Sequence, residues 1–330
     1  MIFYCLSICT YSNRPVIHPI TCFLKRSDYI EQNRTTASYS KEENWLILTP
    51  IEQSIRSKVE SVGVPLKNWD ISINFGVKTG YNKAFIISKE KREEILDSCL
   101  TIEEKEKTAE LIRPILRGKD IKRFGYNFAN IYLINSYNKY TDKEGVDHPS
   151  INIESYPAIK RHLDQYWDKI YKRQDQGDTP YNLRRCAYMD DFNKPKMIWK
   201  RIGSKLRFCL DTQGFYCLDS TCIATGSCIS FLVALLNTTM GNYLLKDSPK
   251  TGTGDLIVSV QALLPIKVPR LSQKDQKEYE SLLASIIECI NNDQDYKSYE
   301  RKLESLAFQM YGLTDTEKEY VIQTVNELYR

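Results

Sequence analysis

The apolar runs of this chain are short, of two kinds, and do not alternate. Ile71-Ser-Ile-Asn-Phe75, Ile131-Tyr-Leu-Ile134, Met197-Ile-Trp199 and Leu206-Arg-Phe-Cys-Leu210 are β-branched or aromatic stretches of strand length. Ala84-Phe-Ile-Ile87, after a Gly76–Gly80 turn, predicts another strand. Helical spacing runs through Ile51, Ile55, Val59 and Val62, with Thr49 as a cap, Pro50 at the first helical position and Gly63 as the stop. Residues 90–113, 157–171 and 231–245 also predict helices. Residues 274–310 predict a long helix or a helix pair, with Tyr279, Leu282, Ile286, Ile290, Leu303 and Leu306 as an interrupted apolar stripe. A doubly wound α/β protein would show strand and helix in regular turn. This pattern predicts α+β, with mixed sheets and a helical C-terminal tail.

At 330 residues the length suggests about two domains, taking roughly 150 residues for each. No apolar run approaches the roughly 20 residues of a membrane helix, so no membrane is expected as a partner. Met1–Tyr11 is apolar but lacks a preceding basic residue and a following small-residue cleavage site. It is read as structure, not as a secretion signal. Residues 1–30 read as a hairpin around Ser12-Asn-Arg-Pro15, with no sheet of its own to join. The expected division is 1–40 for this hairpin and a linker, 41–270 for the α+β body, and 271–330 for the helical segment. The ten cysteines include no Cys-x-x-Cys pair, and the histidines are His18, His148 and His162. That spacing suits reduced thiols in a cytoplasmic protein better than zinc or disulfides, and no metal site is expected.

Charge is unevenly placed. Residues 271–330 hold seven Lys/Arg against twelve Asp/Glu, while residues 1–270 hold 39 against 30. The basic part also carries most of the 22 tyrosines. Cations displace counterions from phosphates and rings pack on sugars and bases, so this distribution points to nucleic acid.

Catalytic signatures are missing. The chain has no G-x-G-x-x-G, no nucleotide P-loop, no G-x-S-x-G and no H-E-x-x-H. Asp295, Glu300 and Lys302 have nuclease-like spacing but lie on a charged helix, where a solvated face explains them. No catalytic residues are assigned, and whether the chain is an enzyme at all is left open.

Four segments remain as DNA-contact candidates. Gly76-Val-Lys-Thr-Gly-Tyr-Asn-Lys-Ala-Phe85 offers Lys78, Thr79, Asn82 and Lys83 on a tight loop; the alternative is a hairpin turn with solvated lysines. Arg113–Phe124 holds five cations against one carboxylate and offers Arg117, Lys119 and Arg123; the alternative pairs Arg117 with Asp120 in a structural turn. Arg184–Arg207 holds eight Lys/Arg against two Asp, interleaved with Tyr188, Phe192 and Trp199. It offers Arg184, Arg185, Tyr188, Lys196, Lys200 and Arg201. Pro249-Lys-Thr-Gly-Thr-Gly254 offers Lys250 and Thr251, on a loop that is otherwise plain surface.

Seven segments in order carry a family resemblance. They are Gly76–Phe85, Pro114-Ile-Leu-Arg-Gly-Lys-Asp-Ile-Lys-Arg123, Tyr156-Pro-Ala-Ile-Lys160, Thr179-Pro-Tyr-Asn-Leu-Arg-Arg-Cys-Ala-Tyr188, Lys194-Pro-Lys-Met-Ile-Trp199, Leu232-Val-Ala-Leu-Leu-Asn237 and Leu264-Pro-Ile266. Together they resemble the TaqI-like C-terminal specificity (target recognition) domain of type II adenine-N6 DNA methyltransferases and type IIG restriction–modification enzymes. Leu306-Ala-Phe-Gln-Met-Tyr-Gly-Leu-Thr-Asp-Thr-Glu317 is similar to the closing segment of many of them. The likeness covers roughly residues 40–320.

The resemblance implies sequence-specific recognition of double-stranded DNA. The family's Asn-Pro-Pro-Tyr-type motif and its Gly-rich turn for S-adenosylmethionine are not in this sequence. The cofactor is therefore expected only in a methyltransferase partner, and none in this chain. Residues 1–30 look like the last hairpin of such a half. The competing expectations are a DNA-binding module, a subunit of a split methyltransferase active only with its partner, and a non-functional fragment. In the first, the acidic tail would pack on a partner and not on DNA.

Overall fold

The computed structural model describes residues 48–330. The predicted hairpin of residues 1–30 lies outside them. Ile55–Arg330 forms one compact unit. The first described helix, α1 (Pro50–Val62), begins where the sequence predicts: Thr49 Oγ1 accepts from Glu52 N, and Glu52 returns a carboxylate bond to Thr49 N. A short strand follows at Gly63–Pro65 and pairs antiparallel with Lys267–Pro269.

Two four-stranded sheets make the body. In chain order the strands are β1 (Ile71–Phe75), β2 (Ile86–Ser88), β3 (Ile112–Leu116), β4 (Ile131–Ile134), β5 (Lys196–Lys200), β6 (Phe208–Asp211), β7 (Tyr216–Cys217) and β8 (Thr221–Gly226). The first sheet, in the order β6-β5-β8-β1, is wholly antiparallel. The second, in the order β7-β3-β4-β2, is mixed, because β7 runs parallel to β3. The α+β, mixed-sheet class is as expected.

The sheets join where the chain after β1 meets the chain between β7 and β8: Val77 N donates to Cys217 O and Asp219 N to Val77 O. That approach requires Gly76. A Cβ there would sit 2.0 Å from the Leu218 carbonyl oxygen, and backbone cannot yield that space.

β5 and β8 are buried on both faces, which explains why they read as unbroken apolar runs. Ile198, Cys209 and Ile223, aligned across the three strands, face the core shared with the second sheet. Trp199, Phe208 and Cys222 occupy the opposite pleat. That side is covered by the helix Ile229–Leu236, and the Trp199 indole N–H donates to Val258 O. The thiols are buried with the sheet. Burial pushes Cys217 and Cys222 up to about 12, so neither is a ready thiolate.

Several predicted helices are divided. Residues 90–113 split into α2 (Lys89–Asp97) and α3 (Ile102–Leu111), the second restarted by Thr101 Oγ1 accepting from Glu104 N. Residues 157–171 become α4 (Pro157–Asp164) and a single turn at Trp167–Ile170. Residues 231–245 become α5 (Ile229–Leu236) and α6 (Thr239–Leu244). Asn237 causes this last break: its amide brackets Phe208 N and Phe208 O of β6, and Thr238 then caps α6 through Gly241 N. Residues 84–85, expected as strand, close a helical turn at Asn82–Phe85 before β2 begins.

The tail is the helix pair expected, α7 (Gln273–Asn291) and α8 (Lys297–Met310), followed by a third helix, α9 (Asp315–Leu328), which a Thr314–Glu317 capping box starts. Most of its predicted apolar stripe is used within this chain, while Ile290 is exposed. Tyr279, Leu282, Leu283 and Ile286 are buried, α7 packs on α5, and Tyr279 meets Phe231 edge to face at 5.0 Å. The apolar side of α7 is therefore turned to this chain's own body. Among the described residues, no helix is long and apolar enough to cross a membrane.

His162 on α4 is buried, and one ring nitrogen reaches Ala84 O at 2.9 Å. Burial holds its pKa below the usual 6.5. The unfolded chain therefore takes up a proton near pH 6.5 that the folded chain refuses. Stability should fall as pH drops from 6.5 toward the depressed folded value. Denaturant midpoints at about pH 7.5 and about pH 5.5, compared between wild type and His162→Gln, check this; an equal pH slope in both would assign the effect elsewhere.

Candidate nucleic-acid interface

The basic face is built where the turn after β3 meets the end of β5. Arg117 donates from its backbone N–H and its guanidinium to Asp120, folding Gly118–Asp120 into a 3-10 turn. Burial pushes the Asp120 carboxyl up, but the Arg117 guanidinium and backbone N–H more than offset it, so its pKa is lowered. Arg117 is thus the structural pair of the second alternative. Gly118 N donates to Ser220 Oγ at 3.0 Å, which ties the turn to the first sheet.

The stem of Lys200 runs past two glycines. A Cβ on Gly118 would lie 2.9 Å from Lys200 Cγ, and one on Gly203 would lie 3.4 Å from its Cδ. Lys119, Lys200, Lys205 and Arg207 line one depression of about 110 Å³, together with Gly118, Gly203 and Ser204. All four cations are exposed. Among the described residues, none has a carboxylate within 4 Å, in a molecule where Lys78, Arg117, Arg123, Lys194 and Lys196 all do. Four like charges with no ion pair among them, and with Asp120 near Lys119 already bound to Arg117, leave a positive field that an anion relieves.

The same face continues into a larger cleft of about 740 Å³ between the body and the helical tail. Lys205 and Arg207 line both hollows, and Lys122 adds a third cation to the cleft. Arg123, deeper in the cleft, donates to Asn237 O and pairs with Glu300 and Glu304, which ties the tail to the body. The nuclease-like spacing thus resolves into a structural ion pair at Glu300 and a turn at Asp295, whose carboxylate accepts from Lys297 N.

The other candidates from the sequence differ in burial and pairing. Thr79 and Lys196 are buried and are withdrawn from the contact surface. Thr79 bonds Asn82, and its carbonyl accepts from the buried Arg173. Lys196 lies wholly inside the core, where it pairs with Asp211 and donates to Phe192 O. Tyr188 is half-buried and rests on Phe192 at 6.2 Å, so it is chiefly packing. Lys78 and Arg184 share Asp175, which neutralises part of their charge. Asn82, Lys83, Arg185 and Lys250 are exposed, and Arg201 is half-buried with its guanidinium 6.0 Å from the Phe75 ring. Thr251 closes its own loop through Asp255 N. Lys205 and Arg207 are additions to the sequence candidates, although the basic run from Arg184 to Arg207 contains them.

Arg173 is a second addition. Its guanidinium donates to carbonyls of Thr79, Asp175, Pro180 and Asn182 and lies over the Phe85 ring at 4.4 Å. It joins the first and third candidate loops. Burial lowers its pKa to about 10, so it remains charged at neutral pH.

Residues 113–257 match the TaqI-like C-terminal specificity domain. The match begins at Arg113, in β3, and ends at Ile257, so the matched segment contains Lys119, Lys200, Lys205 and Arg207. No curated protein sequence matches the chain. Among solved structures, the type IIL restriction-modification enzyme MmeI in complex with DNA is similar at TM-score 0.57 and 12% identity, covering 81% of this chain and 37% of that one. The type IIG restriction endonuclease BpuSI is similar at TM-score 0.49 and 13% identity, covering 84% of this chain and 32% of that one. The likeness therefore spans about a third of each enzyme. At 12% identity the MmeI likeness speaks for the fold alone.

Proposed function

We propose that this chain reads double-stranded DNA as the specificity part of a restriction–modification enzyme, with adenine-N6 methylation carried out by a separate methyltransferase domain or subunit. The observation that carries this reading is the patch of Lys119, Lys200, Lys205 and Arg207, exposed and without carboxylates, within the specificity-domain match. Phosphate contacts from such a patch set register, and neighbouring side chains then read base edges. Arg201 and Arg185 are the nearby arginines in sequence whose fork suits guanine O6 and N7. In this reading S-adenosylmethionine binds the methyltransferase half, and this chain orients that half on its target.

The test is equilibrium binding of the full chain to a pool of random duplexes at about 50 and about 200 mM salt, with sequencing of the bound fraction. One short motif should be enriched, and affinity should fall steeply as salt rises. Salt-sensitive binding without enrichment would leave a basic surface that does not read sequence; no binding at either salt would end the proposal.

A further inference from the structure

We infer that the cleft between the body and the helical tail binds a single nucleotide, with its phosphate at Lys205 and Arg207 and its base inside. Three features of the cleft divide it the way a nucleotide is divided. The cations Lys122, Lys205 and Arg207 lie on the side continuous with the basic depression. The tail contributes the exposed carboxylate of Asp293, while Arg123 and Glu304 are already paired with each other and Glu304 also accepts from Thr239 N, so the interior offers a phosphate no unpaired cation among the described residues. The remaining lining offers rings and amides suited to a neutral, hydrogen-bonding base: Tyr296, Tyr329, Asn127, Gln294 and Asn326.

Some of these groups are occupied by the fold and others are free for a ligand. Tyr329 OH is committed to Asn242 and to Leu206 N. Tyr296 sets its ring edge to face against Phe124 at 6.2 Å. The side-chain amides of Asn127, Gln294 and Asn326 are exposed and have no hydrogen-bond partner among the described residues. The volume of about 740 Å³ holds a nucleotide with room for water.

The nucleotide has two sources. One is a nucleotide displaced from a duplex lying on the basic face, which rests on the function proposed above. The other is a free mononucleotide, which does not. Three probes separate them on the full chain: the 5′-monophosphate of 2-aminopurine deoxyriboside, a duplex carrying one bulged 2-aminopurine, and the same duplex fully paired. Asn326→Trp, on the exposed face of α9, fills the cleft; Gln294→Trp fills it from another element and serves as the second variant.

We expect the bulged duplex to bind roughly tenfold tighter than the paired one, the equivalent of about 1.4 kcal/mol. That advantage should vanish in Asn326→Trp while paired binding is unchanged. Quenching of the free monophosphate in wild type but not in the variants, without a bulge preference, would keep the site and assign it to free nucleotides. Equal binding of bulged and paired duplexes with no monophosphate binding would overturn the inference, as would monophosphate binding that survives both variants. Failure of the paired duplex alone to bind would count against the DNA reading and leave the monophosphate result to judge the cleft.

Discussion

Replacing Lys200, Lys205 and Arg207 together by alanine should weaken duplex binding roughly 100-fold, taking about 1 kcal/mol for each exposed phosphate interaction. The slope of log affinity against log salt should fall by about three, one for each phosphate no longer neutralised. The three side chains line one depression and are free of carboxylates among the described residues, so their removal relieves repulsion in the free protein and costs no ion pair. Thermal stability should hold or rise slightly. Lys105 and Lys107, exposed on α3 and already paired with Asp97 and Glu103, provide the control: their alanine variants should leave affinity and slope unchanged. Lys78 and Arg184 should fall between, because Asp175 already offsets them. A slope unchanged in the triple variant would remove this face from the interface.

Lys196→Met should cost about 3–5 kcal/mol of stability, the penalty for stranding a buried charge. Lys196 and Asp211 are both 0% exposed and occupy directly paired positions on β5 and β6. Asp211 also accepts from Gln213 N and Phe215 N, so it holds the turn into β7. Without the ammonium, its carboxylate keeps those bonds but loses its counter-charge. The double variant Lys196→Met with Asp211→Asn should recover part of the loss, because the Asn carries no charge and its carbonyl still accepts one of the two backbone bonds, from Gln213 N or Phe215 N. Urea unfolding of the three proteins measures this. A single-variant loss below about 1 kcal/mol would show that the pair does not behave as a buried structural ion pair. Either way, a DNA-binding defect in Lys196→Met would report unfolding, not the removal of a phosphate ligand.

Lys196 and Lys200 look alike in the sequence. They are four apart in one basic run, and nothing in that run says which is inside. Strand alternation places them on the same side of β5, since an even number of positions separates them. What differs is cover. Lys196 lies at the end of β5 opposite Asp211, where Phe192 and the chain after β6 close over it. Lys200 lies at the other end, where the two glycines leave its stem a groove to the surface. Arg117 illustrates the same limit. Its pairing with Asp120 is one of two alternatives open in the sequence, and only the turn geometry chooses between them.

Local chemistry is legible to the extent that it is local. Thr49 with Pro50 announces the start of α1, and the irregular mixture of strand and helix periods announces α+β. The ordered motifs from Gly76 to Ile266 point to the specificity-domain family that residues 113–257 match. The breaks at Thr101 and Asn237 are not legible, because an apolar period continues through a cap. The bonding partner that makes the break can also be distant in sequence, as Phe208 is from Asn237.

The sequence by itself determined the fold class, the family likeness and the excess of positive charge, since each depends on residue types and their order along the chain. Only the tertiary structure decided which cations form the basic face. That outcome depends on which carboxylate each one meets, and Asp175, Asp211 and Glu300 reach their partners from 9 to 177 positions away. Coulomb attraction acts through space at ångström range, so a linear run of charge becomes a binding surface only where folding leaves it unpaired.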